Sequence, residues 1–158
     1  MYIGALTSTD SHIKETVEHN LSYSFSSGHG LNIEMPVGAV PSGQKIEVAA
    51  QICETDHFIF PEDMRPISPV YELSTTPSLS SFRKEVKISM DHSTEGNHAS
   101  LCFMNASRVP RWDSKLTPLY EFKPLSGVFK PHSQTGVIFL SQLDCYLAVG
   151  IGKEASKL

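Results

Sequence analysis

Short stretches in which apolar and polar residues alternate recur along most of the chain, and clusters of proline, glycine, serine and asparagine separate them. Alternation with a period of two is typical of strands that bury one face. The stretches recur about every 10 to 15 residues, a spacing that favours a sandwich or barrel. Ten prolines disfavour long helices. The sequence therefore predicts an all-β fold, and specifically a β-sandwich of antiparallel strands.

The apolar residues on the alternating side of each predicted strand should form the hydrophobic core. They are Leu31, Ile33, Val48, Ile52, Val70, Val86, Ile88, Leu101, Phe103, Ile138, Leu140 and Leu147.

Residues 30–43 contain a strand that is followed by a stiff elbow. Pro36 lacks a backbone donor, so it ends the strand. Pro41 and Gly43 bracket Ser42 in a turn, since proline presets φ and glycine supplies a positive φ. We expect Gly38 to have a positive φ or to lie in close backbone contact. No acid, base, nucleophile or ligand set lies in this elbow, so its predicted role is structural.

A chain of 158 residues suits one domain with its own core. We expect residues 1–23 to form a flexible or strand-like leader, with one or two helical turns over 10–18 as the alternative. Residues 24–151 should form the sandwich domain, and 152–158 a polar C-terminal tail.

Composition argues against several classes of function. The net charge is −4 and no basic run occurs, which disfavours nucleic-acid binding. No apolar run approaches the roughly 20 residues that span a bilayer, and residues 1–20 do not resemble a signal peptide, so no membrane insertion is expected. Cys53, Cys102 and Cys145 are too few and too widely spaced for a disulfide framework or a zinc site. These features predict a cytoplasmic protein with reduced, buried cysteines and no cofactor.

Two further groups of residues are candidate sites. His92 and His98 flank one turn that begins at Asp91, where we expect solvated side chains rather than a metal ion. Trp112, which follows Arg111, belongs either to the core or to a binding surface. Tryptophan and arginine are enriched in interface hot spots, so Arg111 and Trp112 are the candidate interface.

Several motifs, taken in order, resemble the ZU domain of zonula-occludens proteins, ankyrins and netrin receptors of the uncoordinated-five type. The elbow motif is Met35-Pro36-Val37-Gly38-Ala39-Val40 with Pro41-Ser42-Gly43, and the later motifs are Ile67-Ser68-Pro69-Val70, Phe82-Arg83-Lys84-Glu85-Val86, Trp112 and Tyr146-Leu147-Ala148-Val149-Gly150. The chain departs from the family at Val37 and Glu85, where proline is usual. The resemblance extends over residues 25–151.

The resemblance implies a β-sandwich that serves as a non-catalytic docking platform. In the family such domains act in signalling or in cytoskeletal and membrane-proximal assembly. Their partners include spectrin, a companion β-domain and a death domain. A netrin receptor-like scaffold or adaptor that binds a protein partner is therefore the expected function.

Some family members cleave their own backbone at a His-Phe-Ser tripeptide before the final tyrosine, which makes autoproteolysis the alternative function. The aligned residues here are Gln142, Leu143 and Asp144. Gln142 cannot act as a general base and Asp144 lacks the nucleophilic hydroxyl. Cys145 lies one residue too late in the chain. We therefore expect no enzymatic activity.

The last three residues, Ser156, Lys157 and Leu158, match the peroxisomal address when they stand at a true C-terminus. A peroxisomal protein is thus the alternative to a cytoplasmic one.

Overall fold

The computed structural model describes residues 5–8, 12–27, 30–53, 57–93, 101–112, 114–129 and 133–152. All regular structure in this part of the chain is strand, so the all-β prediction is confirmed. It contains no helix that is long and apolar enough to cross a membrane. The strands are β1 (Ala5–Ser8), β2 (His12–Glu18), β3 (Tyr23–Ser27), β4 (Leu31–Met35), β5 (Lys45–Cys53), β6 (Phe58–Ile59), β7 (Met64–Pro66), β8 (Val70–Thr76), β9 (Val86–Asp91), β10 (Leu101–Ser107), β11 (Arg111–Trp112), β12 (Pro118–Glu121), β13 (Lys123–Leu125), β14 (Val128–Phe129), β15 (Thr135–Leu140) and β16 (Cys145–Gly152).

The strands form two large sheets and one small sheet. The six-stranded sheet has the order β1-β3-β4-β9-β15-β14, and the seven-stranded sheet has the order β13-β10-β16-β8-β5-β2. The small sheet has the order β11-β12-β6. Neighbouring strands are antiparallel except in the β1–β3 and β12–β6 pairs, which are parallel.

One hydrophobic core lies between the two large sheets and takes side chains from both. At the centre of the six-stranded sheet, Ile88 pairs with Ile33 on one side and with Ile138 on the other. Every predicted core residue is buried except Ile52 and Leu140, which are partly buried and pack against this core. The alternating pattern therefore identified buried residues, but on β8 it selected the other face, because Val70 packs in a second, outer cluster whereas Tyr71 and Leu73 face the central core.

A second apolar cluster covers the outer face of the seven-stranded sheet and was not predicted. Tyr146 of β16 packs against Phe58, with 4.9 Å between the ring centroids. Phe60 stacks on Phe122 at 5.0 Å. Strand β16 is buried on both faces as a result, and the small sheet forms a third layer of the molecule.

The segment that precedes β3 contains an edge strand of the seven-stranded sheet. Strand β2 pairs with β5 in register from His12 opposite Gln51 to Glu18 opposite Lys45. Ile13 and Val17 are buried in the central core. The alternative of a helical turn is wrong for residues 12–18, because they form this strand.

The elbow after β4 consists of two consecutive turns. The amide of Ala39 donates to the Pro36 carbonyl at 3.2 Å, and the amide of Gln44 donates to the Pro41 carbonyl at 3.2 Å. The third residue of each turn is a glycine with positive φ, +86° at Gly38 and +81° at Gly43. The prediction for Gly38 is confirmed, since type II turns require a positive φ at this position.

Three contacts attach this elbow to other segments. The amide of Gly38 donates to the His19 carbonyl at 2.9 Å. The Nδ1 atom of His19 donates to the Val40 carbonyl at 2.8 Å. The amide of Arg83 donates to the Ala39 carbonyl at 2.8 Å. The elbow thus links the turn after β2 to the segment before β9.

We expect Gly38→Val to lower the free energy of unfolding by about 1–3 kcal/mol, because a β-branched residue is strained at positive φ. Its Cβ would also lie 3.3 Å from Cε of Lys84. Urea denaturation followed by circular dichroism measures the change. Ser42→Ala, at an exposed position of the same elbow, should change the stability by less than about 0.5 kcal/mol. Equal midpoints for the two variants would show that the elbow does not constrain Gly38.

Candidate interaction surface

Strands β11 and β12 form a hairpin whose described residues are 111–112 and 114–121. It carries the candidate interface and is called the Trp112 hairpin below. Arg111 pairs with Leu119, and Trp112 pairs with Pro118. Its second strand is held in the outer layer, because the Tyr120 ring packs 4.8 Å from the Tyr146 ring. The hairpin is therefore attached to the body of the molecule by aromatic packing at its base.

Trp112, which is the chain's single tryptophan, lies on the surface and not in the core. It is 58% exposed, and the nearby Leu116 and Val109 are 76% and 79% exposed. Exposed large hydrophobic residues are few in the described part of the chain, and three of the seven fall within residues 109–116. Such concentration of apolar surface is typical of interaction sites.

Leu116 has an unusual backbone conformation. Its φ is +61°, and it is the one non-glycine residue with positive φ among those the structure describes. The left-handed region is unfavourable for leucine, and residues held there concentrate at functional sites. Leu116 thus combines an unfavourable backbone conformation with an exposed apolar side chain, which supports a binding role for this part of the hairpin.

The hairpin and its flanks are more basic than the rest of the protein. Residues 108–123 contain four basic and two acidic side chains, although the chain as a whole has a net charge of −4. Within the hairpin, Arg111 lies 3.9 Å from Glu121. A partner surface with acidic residues would therefore match this region electrostatically.

Asp144, the last residue of the tripeptide that aligns with the self-cleavage site, has a structural role. Asp144 accepts hydrogen bonds from the Thr75 amide at 2.9 Å, the Thr75 hydroxyl at 3.0 Å and the Ser78 hydroxyl at 3.0 Å. The Arg108 guanidinium lies 3.5 Å from Asp144 and 3.3 Å from Glu72. This carboxylate therefore joins the start of β16 to the end of β8 and to the segment after β10.

The neighbours of Asp144 do not form a nucleophile and base pair. Gln142 is exposed, whereas Leu143 is fully buried. Burial raises the pKa of the Cys145 thiol to about 12, and the nearby Asp144 carboxylate adds to that increase. The thiol is therefore protonated at neutral pH and is a weak nucleophile.

The three cysteines are unpaired, and burial raises the pKa of each thiol. Cys145 is buried as predicted, whereas Cys53 and Cys102 are only partly buried. Cys53 and Cys102 lie at the edge of the outer aromatic cluster, where Cys102 Sγ is 3.6 Å from Met64 Sδ.

The turn that begins at Asp91 differs from the prediction. His92 is buried and packs edge-on against the Phe129 ring at 5.7 Å, so the expectation of a solvated side chain is wrong. The hydroxyl of Thr135 donates to Asp91 at 2.8 Å. His98 lies outside the described residues, and within them no group of histidine, cysteine and acidic side chains could hold a metal ion.

Two predicted motifs remain, the one that contains Pro69 and the C-terminal tripeptide. Pro69 is exposed, and the preceding Ser68 hydroxyl accepts a hydrogen bond from the Val149 amide at 2.8 Å, which fixes this motif against β16. The candidate address Ser156-Lys157-Leu158 lies outside the described residues.

A scan against protein-family models finds no match, and a search of the curated proteins finds none either. The resemblance to the ZU domain stays a prediction that rests on the motifs.

Proposed function

We propose that the protein is a non-catalytic interaction module, a scaffold or adaptor that docks on a partner protein through the Trp112 hairpin. The observation that carries the proposal is the exposed Trp112 on a hairpin whose base is fixed by aromatic packing. The resemblance to ZU domains adds the expectation that such docking serves signalling or cytoskeletal and membrane-proximal assembly. The proposal includes a cytoplasmic location, with a peroxisomal one as the alternative.

The physical basis is the free energy of burying an aromatic anchor. Burial of apolar surface contributes about 25 cal/mol per Å², and a tryptophan is among the largest anchors available. Trp112 lies next to Arg111, and both residue types are enriched at hot spots. Because β12 is already packed against the aromatic cluster, docking would order little additional backbone.

The surroundings of Asp144 and Cys145 support the non-catalytic part of the proposal. The Asp144 carboxylate is engaged by hydroxyl, amide and guanidinium donors. The Cys145 thiol is buried, and its pKa is raised far above neutral pH. The Asp144 carboxylate thus has a structural role, and the Cys145 thiol is a weak nucleophile.

We expect Trp112→Ala to abolish capture of the partner protein, because truncation of a central anchor reduces affinity by about 2 kcal/mol or more. The purified chain and the variant serve as baits in extracts of the source cell, and mass spectrometry identifies the captured proteins.

Val128→Ala is the matched control, because Val128 is also exposed, at 57%, but lies on β14 in a different sheet. This variant should retain the partner, and both variants should unfold at the same urea concentration as the native chain. Capture of the same proteins by Trp112→Ala and by the native chain would contradict the proposal.

A further inference from the structure

A second exposed surface is a groove, called the sheet groove below. It lies on the outer face of the six-stranded sheet, has a volume of about 480 Å³, and is lined in part by Glu34, Pro36, Glu85, Lys87 and Phe139. The register places Phe139 beside Lys87, and Lys87 beside Glu34, across three adjacent strands. The groove therefore has an aromatic ring at one end and charged side chains along the neighbouring strands.

The chemistry of the sheet groove matches that of the hairpin. Phe139 is 52% exposed, which leaves a ring face or edge for a second aromatic side chain. Lys87 lies 3.4 Å from Glu34. Glu85 has no ion-pair partner among the described residues, and it adds a negative charge to the groove. The volume falls within the range of about 300–1,000 Å³ that is common for binding sites.

The two surfaces lie on opposite sides of the molecule. The hairpin belongs to the outer layer that covers the seven-stranded sheet, whereas the sheet groove faces solvent from the six-stranded sheet. The central core separates them. A chain cannot insert its own hairpin into its own groove, so any such contact must join two copies.

We propose that the Trp112 hairpin of one copy docks in the sheet groove of a second copy. In this contact Trp112 packs against Phe139 and Pro36, and Arg111 faces Glu85. The inference rests on the proposed function, because both use the Trp112 hairpin. The contact is heterologous, so each added copy leaves one hairpin and one groove free, and the assembly grows as an open chain.

The first test is the mass of the protein in solution as a function of concentration. Between about 10 μM and about 500 μM, a range in which weak contacts associate, the average mass from sedimentation velocity should rise above 17.4 kDa and pass the dimer value. Trp112→Ala and Phe139→Ser should each remain at 17.4 kDa. A native chain that stays monomeric over the whole range would overturn the inference.

Mixing the two variants tests the geometry of the contact. Trp112→Ala retains an intact groove, and Phe139→Ser retains an intact hairpin. An equimolar mixture should form a dimer and nothing larger, because only one hairpin–groove contact can form. If Phe139→Ser associates by itself, the contact joins hairpin to hairpin and the inference is wrong.

Because Trp112 is the single tryptophan, its emission reports on docking directly. The emission maximum of the native chain should move to shorter wavelength with concentration, and that of Phe139→Ser should not. Val128→Ser is the control, because it also removes an exposed apolar side chain from the six-stranded sheet that carries Phe139. This variant should assemble like the native chain.

The outcomes separate this inference from the proposed function. If the native chain stays monomeric and Trp112→Ala loses the captured partner, the proposed function stands and self-assembly is refuted. If the native chain assembles through Trp112 but Trp112→Ala still captures the same foreign proteins, self-assembly stands. Docking of a foreign partner through the hairpin is then refuted.

Discussion

Replacement of Ile88 by alanine is expected to lower the free energy of unfolding by about 2–5 kcal/mol. Ile88 is fully buried in the central core, between Ile33 and Ile138 on the neighbouring strands. Truncation removes apolar contacts and leaves a cavity that the paired strands on either side cannot close. Urea denaturation of the two proteins measures the difference.

A graded series makes this prediction specific to packing. Ile88→Val removes one methylene group and should reduce the stability by only about 0.5–1.5 kcal/mol. Val128→Ala shortens an exposed side chain of the same sheet and should change the free energy of unfolding by less than about 0.5 kcal/mol. Similar unfolding midpoints for Ile88→Ala and Val128→Ala would mean that the central core does not lie where the structure has it.

Replacement of Asp144 by alanine is expected to lower the free energy of unfolding by about 2–4 kcal/mol. The change removes the acceptor for the Thr75 amide, the Thr75 hydroxyl and the Ser78 hydroxyl. It also leaves Arg108 with Glu72 as its remaining ion-pair partner. Since the Asp144 side chain is only 15% exposed, water replaces these contacts poorly.

The matched control is Glu121→Ala, which also removes a carboxylate. Glu121 is 51% exposed in its side chain and lies 3.9 Å from Arg111. An ion pair of this kind contributes about 0–1 kcal/mol. A double-mutant cycle of Arg108→Ala and Asp144→Ala should show coupling, because the two groups share one network. If Asp144→Ala unfolds at the same urea concentration as the native chain, the carboxylate does not stabilise the fold.

The six-stranded sheet was the most predictable part of the molecule. Strands β4 and β9 each bury one face and leave the other in solvent, so their apolar residues recur at every second position. This alternation is a local property of the sequence and requires no knowledge of the partner strands. It identified Leu31, Ile33, Val86 and Ile88 as core residues.

The conformation of Gly38 was predictable for a similar reason. A glycine between two prolines in a short connection indicates a turn with positive φ, because the backbone preferences of these residues are intrinsic. The partners of the elbow were not predictable. The elbow bonds to His19 and Arg83, which belong to other segments of the chain. No local sequence pattern indicates that these segments meet the elbow.

The third layer could not be inferred from periodicity. Strand β16 is buried on both faces, so it lacks the alternation that marks a half-exposed strand. Phe58 and Phe122, which cover Tyr146 and its surroundings, come from segments that resemble connections. Their contacts form only when distant parts of the chain pack together.

The sequence by itself determined the all-β class, the buried faces of half-exposed strands such as β4 and β9, and the conformation of the elbow, because alternation and backbone preference act over a few neighbouring residues. Only the tertiary structure decided that Trp112 is exposed, that His92 is buried and that Asp144 joins three segments. Each of these properties depends on side chains that are far apart in the sequence and adjacent in the fold. Solvent exposure and hydrogen-bond partners are set by such neighbours, and no local pattern encodes them.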